Sequence, residues 1–505
     1  MNMLINTKKK PLVVALSMAL LAVSQSGFAN DWIDPISHPL RPTHSTSNIV
    51  LAKGETIDGQ KAVGVGLGYS VYHGKVQKSS FTKGSQLSLL GVDFKANSPV
   101  ADNAHSENNT FQDNSHAIIQ YGKSVGDNFT DTAAQFLGNP SKIASDNEAE
   151  KSTAVRGTFN KGAYQSLESD SSASDSHFND DSTQWLTDNA SSINNEFTGN
   201  SIQILVPTKK TENEISPVSK VDRFRGASKQ YAENAGEINS ASFTDQAGQE
   251  MIGNASSNES NFSGHSTQSV WKGAESNHDS FTDNAIQTVH NGGVAIGANF
   301  SGSSALILED GSESENATFY DNASGMVANK AIMSGTTTMN NGSVLTALAG
   351  TEVHLEAPQI QSLVINDDAR LNILNAGNGS GVNSELTTGS IIMNGGTIQF
   401  GHESGTDHYS TLSADSVTGT GGHLIMNGNL ANHHSDMLST EAMSGKYQIT
   451  LNNQDSGREI AGEGDLHGLI QISDDEGAEF TLTTINPDTG KPTPNNPDNH
   501  GTDQG

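Results

Sequence analysis

Residues 281–300 read Phe-Thr-Asp-Asn-Ala-Ile-Gln-Thr-Val-His-Asn-Gly-Gly-Val-Ala-Ile-Gly-Ala-Asn-Phe, and the phenylalanine that opens and closes this stretch recurs every 19 residues. The spacing holds five times in succession without a slip. The residues concerned are Phe224, Phe243, Phe262, Phe281, Phe300 and Phe319. Such strict spacing indicates a repeating fold, because each unit must place the same side chain at the same position.

Other columns accompany the phenylalanines. Ser or Ala stands four positions after each of them, an apolar residue stands eight positions after, and glutamine recurs six positions after in four copies, Gln230, Gln249, Gln268 and Gln287. The same template identifies six earlier copies, which begin at Phe81, Phe111, Phe129, Phe159, Phe178 and Phe197. Their spacings of 30, 18, 30, 19, 19 and 27 residues indicate the same unit with insertions on its outer surface. A degenerate thirteenth copy is predicted to begin at Met339.

The length of the unit and its pattern predict a parallel β-solenoid. A unit of about 19 residues cannot bury its own apolar face, so the copies must stack and share one core. The even offsets of four, six and eight suit extended chain, and the Asn, Asp, Ser and Gly between them suit turns. Helical repeats need about 33 residues or more. We therefore predict one coil per repeat, with the phenylalanines stacked inside as a structural ladder.

Composition and charge narrow the class of protein further. Only 33% of the residues are hydrophobic, against about 45–50% in ordinary globular domains, which suits a thin solenoid with little core. The formal charge of −30 opposes binding to nucleic acid or to an anionic membrane. There is no cysteine, so disulfides play no part in the fold.

The N-terminus has the pattern of a secretory signal peptide. Lys8, Lys9 and Lys10 form its positive region, residues 12–23 form its apolar region, and residues 27–29 read Gly-Phe-Ala. We predict cleavage between Ala29 and Asn30. Removal of three lysines takes the formal charge from −30 to −33. The apolar run is too short for a membrane anchor, and no later run reaches spanning length.

The chain is predicted to contain five parts. Residues 1–29 are the signal peptide, and residues 30–80 are a lead-in whose strands at 49–52 and 63–69 cap the first coil. Residues 81–350 are the Phe-ladder β-helix, with a surface loop at 207–221. Residues 351–485 continue a strand-and-turn rhythm without the phenylalanine ladder. Residues 486–505, with four prolines, read as a flexible linker.

The repeat quoted above resembles the roughly 19-residue repeat of AIDA-type autotransporter adhesins, which have a Gln before a Val and Gly-Gly turns at comparable places. Residues 412–430 and 435–453 resemble the pertactin-type end of such passengers. The resemblance implies a right-handed single-stranded parallel β-helix, with residues 351–485 forming its C-terminal end and folding cap. Family members usually continue into an outer-membrane translocator barrel, so we expect such a barrel as a partner, although residues 486–505 contain no barrel strands.

Candidate catalytic and metal-binding residues are few. Asp175, Asp180 and Asp181 cluster in the sequence, as do Asp474, Asp475 and Glu476, but turns in a polar solenoid produce such groups without any catalytic role. His433 and His434 near Asp436 suggest a metal site, yet adjacent residues on a strand point to opposite faces. Asn261, Asn299 and Asn322 open Asn-x-Ser/Thr triplets that are by-products of the repeat. No catalytic, cofactor or metal residue is predicted.

The resemblance implies an exported adhesin passenger at the cell surface or outer membrane, or secreted, and periplasmic if no translocator exists. Its function would be cell adhesion, autoaggregation or biofilm formation, and its partners another copy or a receptor on a host or bacterial surface. Two alternatives remain open. One is a secreted β-helical enzyme acting on polysaccharide, which needs converging carboxylates in one groove. The other is a passive surface or periplasmic spacer.

Overall fold

The computed structural model describes residues 55–64, 68–71, 74–90, 92–93, 98–99, 104–138, 151–207, 216–349, 358–375, 384–401, 408–429, 434–453 and 468–485. All of them belong to one of two compact units, Ser45–Gly505. Every regular element in these ranges is a β-strand, and nearly all strand pairs are parallel. The predicted single-stranded parallel β-helix is therefore confirmed. The predicted signal peptide, its cleavage site at Ala29 and Asn30, and the linker at 486–505 lie outside the described residues.

Each coil of the repeat region contains three short strands, and each strand pairs with the equivalent strands of the coils before and after it. The strands therefore form three faces. The Phe face consists of Lys61–Val63, Ser80–Thr82, Thr110–Phe111, Asn128–Phe129, Thr158–Phe159, His177–Phe178, Glu196–Phe197, Arg223–Phe224, Ser242–Phe243, Asn261–Phe262, Ser280–Phe281, Asn299–Phe300 and Thr318–Phe319.

The second face, called the Gln face, contains the recurring glutamines. Its strands are Gly68–Val71, Gln86–Leu90, His116–Gln120, Ala134–Leu137, Tyr164–Leu167, Thr183–Leu186, Ile202–Leu205, Lys229–Glu233, Gly248–Ile252, Thr267–Val270, Ile286–Val289, Ala305–Leu308, Ser324–Val327, Val344–Ala349 and Arg370–Asn375. The third face consists of Thr56–Asp58, Lys75–Gln77, Ala104–Glu107, Gly122–Val125, Thr153–Val155, Ser172–Ser174, Ser191–Ile193, Val218–Lys220, Glu237–Asn239, Ser256–Asn258, Glu275–Asn277, Val294–Ile296 and Glu313–Glu315.

The twelve phenylalanines occupy one column inside the β-helix. Their side chains are at most 1% exposed. Neighbouring rings stack with centroids 4.6–5.0 Å apart and interplanar angles of 3–15°. The ring distance matches the spacing of neighbouring strands, about 4.8 Å. Each added coil therefore places its ring directly on the ring of the previous coil.

The long coils keep this register because their extra residues all fall between the Gln strand and the third strand. Between the Gln strand and the third strand, residues 91–103, 138–152 and 206–217 separate consecutive strands in the coils of Phe81, Phe129 and Phe197. The first insertion contains an antiparallel pair, Val92–Asp93 with Ser98–Pro99. The predicted loop at 207–221 is wrong in its second part, because Val218–Lys220 is a strand of the third face and Ser219 is buried.

The N-terminal part also differs from the sequence prediction. The stretch at 63–69, predicted to be one strand, is divided between Lys61–Val63 on the Phe face and Gly68–Val71 on the Gln face. With Thr56–Asp58 on the third face, these strands complete a coil. Ala62 occupies its ladder position opposite Phe81. The predicted strand at 49–52 lies outside the described residues.

The C-terminal coils continue the same core with different residues. Met339 pairs with Phe319, Ile365 with Met339 and Met393 with Ile365, and all three are fully buried. The strands become longer and pass around the corners between faces. Their bounds are Ile332–Met339, Gln359–Asn366, Ser384–Phe400, Ser410–Asn429, Met437–Asn453 and Ile470–Ile485, with a short antiparallel strand His434–Ser435.

Left-handed residues occur at the corners of the coils, including the corner after the Gln strand, as at Gly253 and Gly311. Positive φ occurs two positions after most of the phenylalanines, and there the residue is mainly Asp or Gly, as at Asp245 and Gly264. It also occurs three positions before the phenylalanines, as at Asn194 and Ser240. These residue types suit the left-handed conformation because they are short or lack a Cβ. Longer side chains also occur three positions before the phenylalanines, at Lys78, Arg156, Glu259 and His278. Val221, with φ 56°, is the β-branched residue at this position, and a β-branched side chain is strained there.

Replacing Val221 with Asn is therefore expected to raise the free energy of unfolding by about 1 kcal/mol. The Val221 side chain is 47% exposed, so little buried area is lost. Equilibrium denaturation measures the change. Ser240→Val, at the equivalent corner of the next coil, should lower stability by a similar amount. Unchanged or lower stability of Val221→Asn would contradict the strain.

Candidate functional site

The outer sides of the faces carry columns of polar residues. On the third face, the side-chain amide of Asn258 donates to Asn239 (3.1 Å) and that of Asn277 donates to Asn258 (3.2 Å). A similar column follows the Phe face in the C-terminal coils, where Asn366 donates to Asn340 (2.9 Å) and Asn394 donates to Asn366 (3.0 Å). Such columns give the exterior a repeated pattern of hydrogen-bonding groups.

The glutamines point inward. The column begins at Gln135 and continues through Gln165, Gln184, Gln203, Gln230, Gln249, Gln268 and Gln287, all at most 1% exposed. Each side-chain Nε2 donates to Oε1 of the preceding glutamine at 2.6–2.9 Å. Buried amides are stable only when hydrogen-bonded, and here each coil supplies the partner for the next. This amide column is a continuous chain of hydrogen bonds within the core, and its role is structural.

Among the residues that the structure describes, four carboxylates are buried inside the β-helix: Asp127, Asp222, Asp279 and Asp436. Three of them stand two positions before a ladder phenylalanine, and each accepts a backbone N–H from the preceding coil at 2.7–2.8 Å. Serine hydroxyls donate to the same carboxylates, as Ser124 does to Asp127 (2.6 Å) and Ser276 to Asp279 (2.9 Å). Burial raises the pKa of all four, although these hydrogen bonds act in the opposite direction. Through these hydrogen bonds the buried carboxylates connect their corners to the preceding coil.

Asp127 makes stability depend on pH. Burial raises its pKa from 3.8 to about 6 in the folded chain, so the folded state holds the proton more tightly than the unfolded state. Protonated Asp127 therefore contributes to the free energy of unfolding. This contribution is complete below about pH 4 and is lost as the pH rises through about 6. We expect Asp127→Asn to remove up to about 3 kcal/mol of this dependence. Denaturation at pH 4 and pH 7 measures it, with the exposed Asp113→Asn as control. Identical pH profiles for wild type and Asp127→Asn would contradict the expectation.

The acidic clusters noted in the sequence lie at the surface. Asp175 and Asp180 have positive φ and form corners. The side-chain amide of Asn194 donates to Asp175 (2.6 Å), and that of Asn200 donates to Asp181 (3.1 Å). Asp474, Asp475 and Glu476 lie on the strand Ile470–Ile485, and Asp474 and Glu476 are exposed. Asp175, Asp180, Asp181, Asp474 and Glu476 therefore lie on open surface, and no member of either cluster lines the hollow described below.

His434 and Asp436 do not share a site. His434 is exposed, whereas Asp436 is buried and accepts hydrogen bonds from the backbone N–H groups of Ser410 (2.8 Å) and Asn427 (2.7 Å) and from the Asn427 side chain (2.8 Å). His433 lies outside the described residues. Among the residues that the structure describes, no three His, Asp or Glu side chains form a cluster suited to a metal ion.

One shallow hollow opens on the C-terminal coils, where the third face passes into the Phe face. Its volume is about 440 Å³. Its lining residues are Gly335, Thr336, Gln361, Ser362, Gly389, Ser390 and Asp415. Asp415 is the one carboxylate in this lining, so the paired acids of a glycosidase are missing from it.

A stacked pair on the outer side of the Gln face was not anticipated. The rings of Trp271 and His290 lie 3.5 Å apart at 9°, and His290 Nδ1 lies 2.8 Å from Glu309 Oε2. These three residues stand nine positions after Phe262, Phe281 and Phe300, so the fixed offset was the signal for them. The stack is explained by the column itself, since equal offsets place side chains on top of each other.

These features define a single-stranded parallel β-helix with stacked phenylalanine rings in its core and a polar exterior. The family model described as Pertactin matches residues 388–490. The match lies in the C-terminal part of the chain and confirms the predicted resemblance of this part to pertactin-type autotransporter passengers. No helix in the described parts of the chain is long and apolar enough to cross a membrane.

Comparison with solved structures found several matching chains, and two of them are the following. A TibA fragment hyper-glycosylated by TibC has 12% sequence identity and a TM-score of 0.34, with coverage of 84% of this chain and 99% of the fragment. The Hap adhesin of Haemophilus influenzae has 11% identity and a TM-score of 0.25, with coverage of 86% of this chain and 61% of that one. Comparison with curated proteins found no match.

Proposed function

We propose that the chain is an autotransporter adhesin passenger that mediates cell adhesion, autoaggregation or biofilm formation. The observation that supports this best is the combination of repeated polar columns on the outer faces with a shallow hollow, in the described part of the chain, whose lining contains one carboxylate. Repeated weak contacts gain strength when many form at once. A cleft with converging acids would have favoured the polysaccharide-degrading alternative.

Export completes the proposal. A signal peptide would be removed between Ala29 and Asn30, residues 486–505 would act as a linker, and a translocator barrel would hold the passenger at the outer surface. Sequencing the N-terminus of the exported chain tests the cleavage site. A mature chain that starts elsewhere would refute this assignment.

The adhesive function is tested by displaying the passenger on a functional translocator barrel and measuring the settling of cell suspensions and adhesion to surfaces. Controls are the barrel alone and a passenger lacking residues 81–350, each matched for surface amount with antibody. We expect aggregation or adhesion with the full passenger only. Equal behaviour of all three strains would refute adhesion and favour a passive spacer.

A further inference from the structure

We propose that the outer side of the Phe face between Ser242 and Tyr320 is the surface through which one copy of the chain binds a second copy. This inference rests on the proposed adhesive function and specifies its partner. Five consecutive coils contribute two outward residues each. The ten residues are Ser242, Thr244, Asn261, Ser263, Ser280, Thr282, Asn299, Ser301, Thr318 and Tyr320.

Charge distinguishes this surface from the rest of the same coils. None of the ten side chains is charged, although the chain carries a formal charge of −30. The outer side of the Gln face in these coils carries Glu250 and Glu309, and the third face carries Glu237, Glu275, Glu313 and Glu315. Like charges brought together in an interface cost several kcal/mol. A second copy, with the same charges, therefore meets least repulsion on the Phe face.

Exposed carboxylates lie at both borders of this surface. Glu259 occupies the corner before the Phe strand Asn261–Phe262. Asp245, Asp283 and Asp321 occupy the corner after their Phe strands. Each carboxylate accepts the backbone N–H of a glycine in the preceding coil, at 3.1, 3.2 and 3.4 Å. These hydrogen bonds direct the three Asp carboxylates along the corner. Their repulsion of the carboxylates of a second copy therefore acts at the rim of the surface.

The polar groups of the surface retain hydrogen-bonding capacity. In the part of the chain that the structure describes, the side chains of Asn261, Ser280 and Thr318 have no hydrogen-bond partner. Asn299 makes one bond, to the carbonyl of Gly297 (3.2 Å). On the third face the asparagines are already bonded to one another. An amide and a hydroxyl can each donate and accept, so this surface can form hydrogen bonds with an identical one.

The spacing of the coils lets such contacts repeat. Beneath the surface, the rings from Phe243 to Phe319 rise by 4.6–5.0 Å per coil. Two copies have the same rise, so a match at one coil is followed by a match at the next. A two-fold arrangement uses the same patch on both copies. Five coils of weak contacts then act together.

The test introduces charge without changing shape. Asn261→Asp combined with Asn299→Asp places four negative charges in a two-fold interface. We expect self-association of the purified full chain, measured by analytical ultracentrifugation, to weaken at least tenfold. The matched control is Thr267→Asp with Thr288→Asp, which adds the same charge to the outer side of the Gln face in nearby coils. Association of the control should equal that of wild type.

A charge exchange separates a contact from an indirect effect. Asn261→Lys with Asn299→Lys should associate with the Asp variant in a mixture more strongly than either associates with itself. Circular dichroism and the unfolding midpoint check that all variants remain folded. Full association of the Asp variant, an equal loss in the control, or no preference in the mixture would each overturn the proposal.

The same variants on the cell surface separate this inference from the adhesive function. If the full passenger aggregates cells and the Asp variant does so equally, adhesion stands and this surface is excluded as the contact. If the full passenger neither aggregates cells nor adheres to a surface, the adhesive function itself fails.

Discussion

Replacing Phe243 with alanine is expected to lower the free energy of unfolding by about 3–5 kcal/mol. The ring is fully buried and stacks on two others, Phe224 at 4.7 Å and Phe262 at 4.6 Å. Truncation removes both stacks and leaves a cavity that the strands on either side cannot fill, because their hydrogen bonds fix the coil spacing. Equilibrium unfolding in urea, followed by circular dichroism, measures the loss.

A matched control separates the ladder from aromatic content in general. Tyr320 lies next to Phe319 on the same face, but its side chain is 42% exposed. Tyr320→Ala should change stability by less than about 1 kcal/mol. Equal losses for Phe243→Ala and Tyr320→Ala would show that the stack of rings contributes little.

Replacing Asp222 with alanine is expected to destabilise the β-helix to a similar extent. Its carboxylate accepts hydrogen bonds from the backbone N–H of Asn195 (2.7 Å), the hydroxyls of Ser192 (2.5 Å) and Ser219 (2.8 Å), and the Gln203 side chain (2.8 Å). Each buried donor left without a partner costs about 1–3 kcal/mol. Urea denaturation at pH 7 measures the total.

Two further variants test whether lost hydrogen bonds cause the destabilisation by Asp222→Ala. Asp222→Asn keeps an acceptor oxygen for the Asn195 N–H and should lose much less stability than Asp222→Ala. Asp181→Ala removes an exposed carboxylate that accepts one hydrogen bond, and should change stability by about 0.5 kcal/mol or less. A small effect of Asp222→Ala would mean that water replaces the carboxylate and that the corner is open to solvent.

The sequence is sufficient to predict the parallel β-helix because the phenylalanine column is strictly periodic and aromatic. The small residues four positions later also follow the pattern. Ser228, Ser266 and Ser304 are buried, and their hydroxyls have no hydrogen-bond partner among the described residues. Small volume beside the rings explains why Ser alternates with Ala there, since neither hydroxyl nor methyl is required.

The polar interior was harder to predict. Gln249 stands at an even offset from Phe243, as the buried residues do, but a single repeat offers no hydrogen-bond partner for its amide. Its partners, Gln230 and Gln268, lie 19 residues away in the sequence. They become neighbours only when the coils stack. Asp279 has the same difficulty. A lone acid in a polar sequence is usually exposed, and only the stacked structure brings the donors that let it be buried.

The C-terminal coils lose the signal for another reason. Met339, Ile365 and Met393 continue the ladder at spacings of 26 and 28 residues. Met339 follows Phe319 by 20 residues and was predicted to begin a thirteenth copy, and its pairing with Phe319 confirms that position. Beyond Met339 neither the period nor the residue type is constant, so the sequence does not mark Ile365 and Met393 as members of the same column. The hollow beside Asp415 depends on how these longer strands turn, and it could not have been located from residue types.

The position of the three insertions, between the Gln strand and the third strand, has a practical consequence. Ring centroids lie 4.7 and 4.9 Å apart across the two 30-residue coils, within the range of the 19-residue coils. Extra chain at this position thus leaves the stacking distance unchanged. A foreign peptide grafted between Val289 and Val294, where the native turn is short, would be presented to solvent at a known height along the β-helix. The fold could therefore display epitopes at defined distances from each other.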